Sequence, residues 1–130
     1  MSNWIVPCNV KHFDIFQHFK ETDEVAFKRV GALRNGDIAY IYLSAPYSEV
    51  RFSCKVIDER MSEDKLKSHK YVIDKFDSNI YVLLKLEKVY EKGCLPLKAL
   101  KENGLGQVQR QARADKELIY FIETNGVVGE

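Results

Sequence analysis

The sequence predicts one small α+β domain, spanning residues 1–130, with about five β-strands and two or three short helices. The first observation is a set of apolar or alternating runs of strand length: WIVPC, IAYIYLS, VRFSCKV and IYVLLKL. The second is a set of short segments with helical spacing and capping residues. The third is size, because 130 residues, 45% of them hydrophobic, can bury roughly two-thirds of their unfolded surface.

The first two elements are a strand and a helix. WIVPC, residues 4–8, is an apolar run in which Pro7 indicates an edge or an end. FDIFQHFKE predicts a short helix, because Asp14 can cap the first turn and Gln17 occupies the capping-box position. The apolar side chains of this helix share one face: Ile15, Phe16 and Phe19.

The middle of the chain predicts a hairpin that starts at the tight turn RNGD, where Gly36 is free to adopt positive φ. IAYIYLS is apolar on both sides and predicts a central strand. Its partner alternates, with predicted inward side chains Val50, Phe52, Cys54 and Val56. The connection SAPYSE is longer than the two residues that would close a hairpin. Its tip, at Pro46 and Tyr47, is therefore either an irregular loop or a segment that reaches towards a ligand.

The second half of the chain begins with a charged, weakly patterned excursion over residues 58–76. Alternation returns in NIYVLLKLEKVYE, which predicts a further strand. LPLKALKENG predicts a helix with Pro96 near its first turn and Gly104 as its C-terminal stop. ADKELIYFIE predicts a last helix, since its apolar residues have helical spacing and acidic residues begin it.

Charge and cysteine content exclude several classes of protein. The net charge is +1, so no global field attracts a polyanion, and any nucleic-acid role depends on a local patch. The cysteines are three, widely separated and without zinc-ligand spacing: Cys8, Cys54 and Cys94. We expect free thiols, no metal and no cofactor. The N-terminus lacks a leader pattern and no apolar run reaches membrane-spanning length, so we expect a cytoplasmic protein without a membrane partner.

Catalytic signatures are sparse, with no Walker loop, GxSxG or HExxH motif. His12 and His18 are six residues apart and do not share a helix face, so we interpret them as surface or boundary residues. Cys8 is either a small semi-buried residue or a nucleophile, and the lack of a nearby base in sequence favours the first interpretation. Cys54 is predicted to be core.

Aromatic residues are more suggestive. Eight stand out: Trp4, Phe27, Tyr40, Tyr42, Tyr47, Phe52, Tyr71 and Tyr81. A pocket lined by flat rings can hold a planar base by stacking. The alternative is that these rings are core or cross-strand pairs, which we expect for Tyr40 and Phe52. For Tyr47, at a loop tip, the two interpretations are equally supported.

Polar residues cluster where predicted strands end. Asn9 follows the first strand, and Lys28 and Arg29 follow Phe27. Residues 98–116 contain five basic and two acidic side chains. Such a stretch is either a solvated face or an edge that contacts phosphates. In the second case, Arg110 and Arg113 would make the phosphate contacts.

In order along the chain, NWIVPCNVKHFD, VAFKRV, LRNGDIAYIYLSAPYSEVRFSCKV and LKENGLGQVQRQARADKELIYFIE resemble an EVE domain of the PUA-like superfamily. YTH and ASCH domains are relatives. The resemblance extends from Asn3 to Glu123 and is weakest in the excursion. It implies a PUA-like fold, a small, strongly bent β-barrel of about five strands flanked by short helices.

The resemblance also implies a function: a non-catalytic domain that binds DNA or RNA and reads one modified or flipped base. In that picture the base pocket comprises Pro7, Cys8, Asn9, Phe27, Lys28, Tyr42, Tyr47 and Ser48. The phosphate contacts would come from Arg29, Arg110 and Arg113. This sequence departs from the family's pattern at two places. Phe27 stands where many members have tryptophan, and residues Gln109 to Ala112 replace a segment that commonly contains Gly-Pro.

Two alternatives stay open. One is a small ASCH-like hydrolase acting on modified nucleosides or RNA. It is disfavoured because the only threonines, Thr22 and Thr124, lie outside recognisable strands. The other is an interaction module for a nuclease of restriction or toxin type.

Overall fold

The computed structural model describes residues 1–62, 64–65 and 80–129. Tyr71 and most of the predicted excursion lie outside this part of the chain. Within it, the strands are β1 (Asn3–Cys8), β2 (Glu24–Lys28), β3 (Ile38–Leu43), β4 (Glu49–Asp58), β5 (Tyr81–Val89) and β6 (Ala112–Arg113). The helices are α1 (Ile15–Glu21), α2 (Leu97–Glu102) and α3 (Lys116–Asn125).

The six strands form one mixed sheet in the order β2-β5-β4-β3-β1-β6. β1 runs parallel to β3, and the remaining pairs are antiparallel. The α+β class is confirmed. The expected barrel of about five strands is wrong, because the sheet has six strands and its edge strands, β2 and β6, do not pair with each other among the described residues.

Both faces of the sheet are buried, as the apolar pattern of β3 predicts. α1 covers one face through Ile15, which joins a cluster around Ile41 and Phe52. α2 and α3 cover the opposite face, where Tyr40 and Tyr90 are almost inaccessible. A sheet with helices on both sides leaves its strand ends as the places where a ligand can reach it.

A β-bulge corrects the predicted alternation of β4. Ile41 pairs with Phe52, but the next residue, Tyr42, pairs with Val50, so Arg51 is the extra residue. As a result Val50 and Phe52 contact different clusters, on opposite faces of the sheet. The prediction that Val50 shares a face with Phe52 is therefore wrong.

The predicted helix boundaries and turns are confirmed. The Asp14 carboxylate accepts a hydrogen bond from Gln17 N at 3.0 Å, which satisfies a free amide in the first turn of α1. Gly36 has φ +89° and Gly104 has φ +105°, conformations in which a side chain would be strained. Pro96 immediately precedes α2.

The parallel pairing of β1 and β3 brings their C-terminal ends to the same edge of the fold. Cys8 O accepts from Ser44 N at 3.1 Å, which links the residues at the two strand ends. The chain then turns away at Asn9 after β1 and enters the hairpin loop after β3. The polar residues that follow both strands are thus neighbours.

Candidate functional site

Gln111, the residue before β6, joins the two edges of the curved sheet. Its amide Nε2 donates to Lys28 O at 2.7 Å, at the end of β2. Its Oε1 accepts from Val30 N and Gly31 N, both at 2.9 Å. One side chain therefore bridges the gap that strand pairing leaves open. We call these three hydrogen bonds the Gln111 clamp.

The loop on the far side of the clamp fits closely against the sheet. A Cβ atom on Gly31 would lie 2.8 Å from Trp4 Cζ3, closer than real Cβ contacts allow. Glycine is needed at this position because the loop passes directly over the indole ring. The clamp and this close approach together fix the backbone that follows β2.

A cavity of about 330 Å³ lies beside the clamp, and we call it the aromatic cavity. Phe13, Phe27 and Tyr81 contribute its rings, and the exposed side chain of Arg110 and the half-buried Lys28 contribute its cations. The remaining lining residues are Pro7, Cys8, Asn9, Val30, Gln109 and Gln111. The volume falls within the range of ordinary ligand sites, about 300–1,000 Å³.

A second cavity, of about 520 Å³, adjoins the first, and we call it the hydroxyl cavity. It shares four lining residues with the aromatic cavity: Pro7, Cys8, Asn9 and Gln109. Its own lining residues are Tyr42, Ser44, Ala45, Ser48 and Val108. Three of them carry hydroxyl groups and none is charged.

Asn9 lines both cavities and places a polar side chain on the wall between them. Its backbone carbonyl accepts from His12 N and Phe13 N, each at 3.1 Å, and its Oδ1 accepts from Lys11 N at 3.1 Å. These bonds fix the turn after β1 and orient the side chain. The Nδ2 group makes no hydrogen bond to any described residue, and Asn9 is exposed, so both amide hydrogens can reach a ligand.

Ser44 and Ser48 shape the far wall of the hydroxyl cavity. Ser44 Oγ accepts from Val10 N at 3.1 Å, which leaves its own hydrogen available for donation. Ser48 has φ +47°, a left-handed conformation that is unusual for a residue with a side chain. Its carbonyl accepts from Leu97 N at 2.9 Å, at the start of α2, so the loop is anchored at this strained point.

The electrostatics of the two cavities favour an anionic or neutral ligand over a cation. No acidic side chain lines either of them in the described part of the chain. Arg110 forms no ion pair with a described residue, so its charge is available at the rim of the aromatic cavity. No group of three or more His, Cys, Asp or Glu within the described residues is placed to hold a metal ion.

Cys8, at the shared wall, is chemically quiet. It is buried, and burial raises the pKa of its thiol to about 12. The thiol is therefore protonated at neutral pH, whereas the thiolate is the nucleophilic form. This supports the interpretation of Cys8 as a small buried residue.

Three solved structures illustrate how this chain compares with known proteins. ASCH from Zymomonas mobilis is 13% identical, with a TM-score of 0.65 over 99% of both chains. A protein from Rhodopseudomonas palustris is 17% identical, with a TM-score of 0.66 over 97% of this chain and 93% of the other. A Pseudomonas putida protein is 12% identical, with a TM-score of 0.68 over 95% and 98%.

The chain has the fold of an ASCH domain. These neighbours share the fold of this chain, and none of the three is described as an EVE domain, so the EVE assignment has no support from them. No protein-family model matches the sequence, and the comparison with curated proteins gives no significant match. None of the described helices is long and apolar enough to cross a bilayer.

The structure divides the predicted base pocket between the two cavities. Pro7, Cys8 and Asn9 line both of them. Phe27 and Lys28 line the aromatic cavity, while Tyr42 and Ser48 line the hydroxyl cavity.

Tyr47 is not among the residues that line these cavities. Its ring lies 5.2 Å from the ring of Phe16 in α1, and the side chain is 38% exposed. The structure thus places Ser48 in the lining of the hydroxyl cavity and Tyr47 outside both cavities. The reason is that the aromatic contact draws the tip towards α1.

The three predicted phosphate ligands are dispersed. Arg110 lines the aromatic cavity. Arg113 pairs with Trp4 across the β1–β6 ladder and donates to Ser2 Oγ at 2.7 Å, in a separate polar cavity at the other end of β1. Arg29 lines neither the aromatic nor the hydroxyl cavity, and its Nε is buried without a partner among the described residues. The residues of QRQAR therefore do not form one basic edge.

Sequence reasoning missed the contributions of Gln111, Gln109, Phe13 and Val30 to the site. Gln111 lies in a polar stretch without local pattern, and its partners are about eighty positions away in the chain. Phe13 precedes a helix whose other aromatic residues pack into the core.

Proposed function

We propose that this chain binds nucleic acid by accepting one unstacked base in the aromatic cavity. The observation that carries the proposal is the combination of three rings, two cations and no acidic side chain in one cavity of ligand size. Stacking of a base on an aromatic side chain is worth about 1–3 kcal/mol. The ASCH and PUA-like fold is consistent with RNA or nucleic-acid binding.

The base would lie against the half-buried ring of Phe13, with its polar edge towards Asn9. Phe27 is 4% exposed, so it forms an apolar part of the cavity wall that is already held by the core and loses little entropy on binding. The unused Nδ2 group of Asn9 would donate to a carbonyl oxygen or ring nitrogen of the base. A modified base, as the resemblance to base-reading relatives implies, is the finer form of this proposal.

Arg110 would contact the backbone phosphate next to the bound nucleotide. Its guanidinium is exposed at the rim, where it can reach an anion that remains in solvent. Phosphate contacts position a strand without reading its sequence. Because Arg113 and Arg29 lie elsewhere, we expect a small number of phosphate contacts and a shallow dependence of affinity on salt.

The test is a titration of fluorescent single-stranded RNA and DNA oligonucleotides, methylated and plain, at low salt. Asn9→Asp retains the acceptor for Lys11 N but removes the free donor and adds a negative charge, so we expect affinity to fall at least tenfold. Asn125→Asp, in α3, makes the same change in net charge away from both cavities and should bind like the parent. No binding by the parent protein to any strand would contradict the proposal.

A second candidate is hydrolysis of modified nucleosides, which the ASCH-type fold and the presence of Lys28 in the aromatic cavity favour. The described lining offers no carboxylate to act as a general base, and Thr22 and Thr124 line neither cavity. Turnover of acylated nucleosides by the parent, lost in Lys28→Ala, would support this candidate.

A protein partner of nuclease type is the third proposal, and co-purification with such a partner would test it.

A further inference from the structure

The aromatic and hydroxyl cavities are two compartments of one groove. They share the end of β1 and Gln109 as a common wall. Each one, at about 330 and 520 Å³, is large enough for a ligand of its own by the usual range of about 300–1,000 Å³. A single base would occupy only one side of the wall and leave the second compartment available to another group.

The two compartments differ in chemistry, so each one suits a different part of a polymeric ligand. The aromatic cavity has rings and the Arg110 cation, which suit a base and its phosphate. The hydroxyl cavity is uncharged and has the free hydroxyl hydrogen of Ser44, which suits a neutral polar group. The exposed amide of Asn9 stands between them and can donate to either side.

We propose, on the basis of the function proposed above, that the groove holds two consecutive nucleotides of a single strand. One base enters the aromatic cavity, the neighbouring base enters the hydroxyl cavity, and the backbone crosses the wall at Asn9. Neighbouring bases in a duplex are stacked and paired, so they cannot lie on opposite sides of a protein wall. The groove therefore selects single-stranded nucleic acid over an intact duplex, in which both bases remain stacked.

The test uses hexanucleotides, in ribose and deoxyribose forms, that are abasic except at chosen positions. One strand carries a single base, a second carries two adjacent bases, and a third carries two bases separated by abasic sites. The phosphate charge is the same in all of them, so differences report the bases alone. We expect the strand with adjacent bases to bind about tenfold more tightly than the other two.

Two matched variants assign the gain to a compartment. Ala45 is exposed and lines only the hydroxyl cavity, and Val30, 50% exposed, lines only the aromatic cavity. Ala45→Phe should abolish the gain from the second base and leave single-base affinity intact. Val30→Phe should weaken every strand. If Ala45→Phe fails to fold, amide shifts of Ala45 and Ser48 that appear with the adjacent-base strand alone give the same answer.

Each outcome is decisive. A second base that adds less than twofold, or a gain that persists in Ala45→Phe, would overturn the two-nucleotide proposal while single-base binding still supports the proposed function. If a single base adds nothing to the fully abasic strand, the proposed function itself fails. Equal binding of adjacent and separated bases would also overturn the inference.

Discussion

Replacing Gln111 tests whether one side chain holds the edges of the sheet together. Gln111→Leu keeps a similar side-chain volume but removes all three hydrogen bonds of the clamp: to Lys28 O at 2.7 Å, and from Val30 N and Gly31 N at 2.9 Å. The partners belong to the end of β2 and the loop beyond it. Without these bonds the two edges are free to separate.

The expected loss of stability follows from the exposure of each bond. The bonds to Lys28 O and from Gly31 N are half-buried, and that from Val30 N is exposed. With about 1 kcal/mol for each half-buried bond and about 0.5 kcal/mol for the exposed one, the free energy of unfolding falls by roughly 2–3 kcal/mol. For a domain of this size that corresponds to a decrease in Tm of about 8–12 °C.

Thermal denaturation of Gln111→Leu beside Gln109→Leu checks this value. Gln109 undergoes the same substitution two residues away, but it is exposed and forms no hydrogen bond with a described residue. We expect Gln109→Leu to melt within about 2 °C of the parent. If Gln111→Leu and Gln109→Leu have the same Tm, the clamp does not hold the sheet edges together.

Three further predictions concern the cationic rim of the aromatic cavity, the tip of the hairpin loop and the hydrogen bonds of Asp37. Arg110→Ala should weaken binding to every strand alike and reduce the salt slope by about 0.7, whereas Arg113→Ala should leave both unchanged, as measured by titration at several salt concentrations. Tyr47→Ala should cost about 1 kcal/mol of stability through the lost contact with Phe16 and leave affinity unchanged, and a drop in affinity at unchanged Tm would contradict its placement. Burial acts to raise the pKa of Asp37, but hydrogen bonds from Ser2 N, Trp4 Nε1 and Arg34 N lower it overall, below its ordinary value of 3.8. Its stabilising contribution is therefore present above about pH 4 and lost as the pH falls through the lowered pKa. In Asp37→Asn, the free energy of unfolding, measured by denaturant titration at a series of pH values, should therefore fall less steeply below about pH 4 than in the parent.

The regular elements were predictable where the signal is local. α1 begins where Asp14 and Gln17 indicate, and the turn before β3 is set by Gly36. β2 was not assigned from the sequence, because EVAFK is short and bounded by charged residues. It forms a strand through its pairing with β5, a partner about sixty residues away in the chain.

The arrangement of the strands depends on contacts that leave no local trace. β6 is two residues long and exists because Ala112 and Arg113 pair with β1. The extra residue in β4, Arg51, interrupts an alternation that looks regular in the sequence. The sheet is open and not a barrel because its edge strands, β2 and β6, do not pair among the described residues. This too has no local signal in the sequence.

The site was predictable in part, for a physical reason. Asn9 follows β1, Phe27 is the penultimate residue of β2 and Ser48 precedes β4, so all three lie at strand ends, where the chain enters surface loops. Tyr47 was assigned from its exposure at a loop tip, yet its ring packs on Phe16. Gln111 was missed because a glutamine signals its role through its partners, which only the fold brings within reach.

Base binding in the aromatic cavity is tested by amide chemical-shift mapping by NMR during titration with a single-stranded oligonucleotide. We expect shifts in Cys8, Asn9, Lys28 and residues 109–111, and we expect Asn9→Asp to suppress them. Shifts confined to the polar cavity around Asp37, or an unchanged spectrum at low salt, would contradict base binding in this cavity.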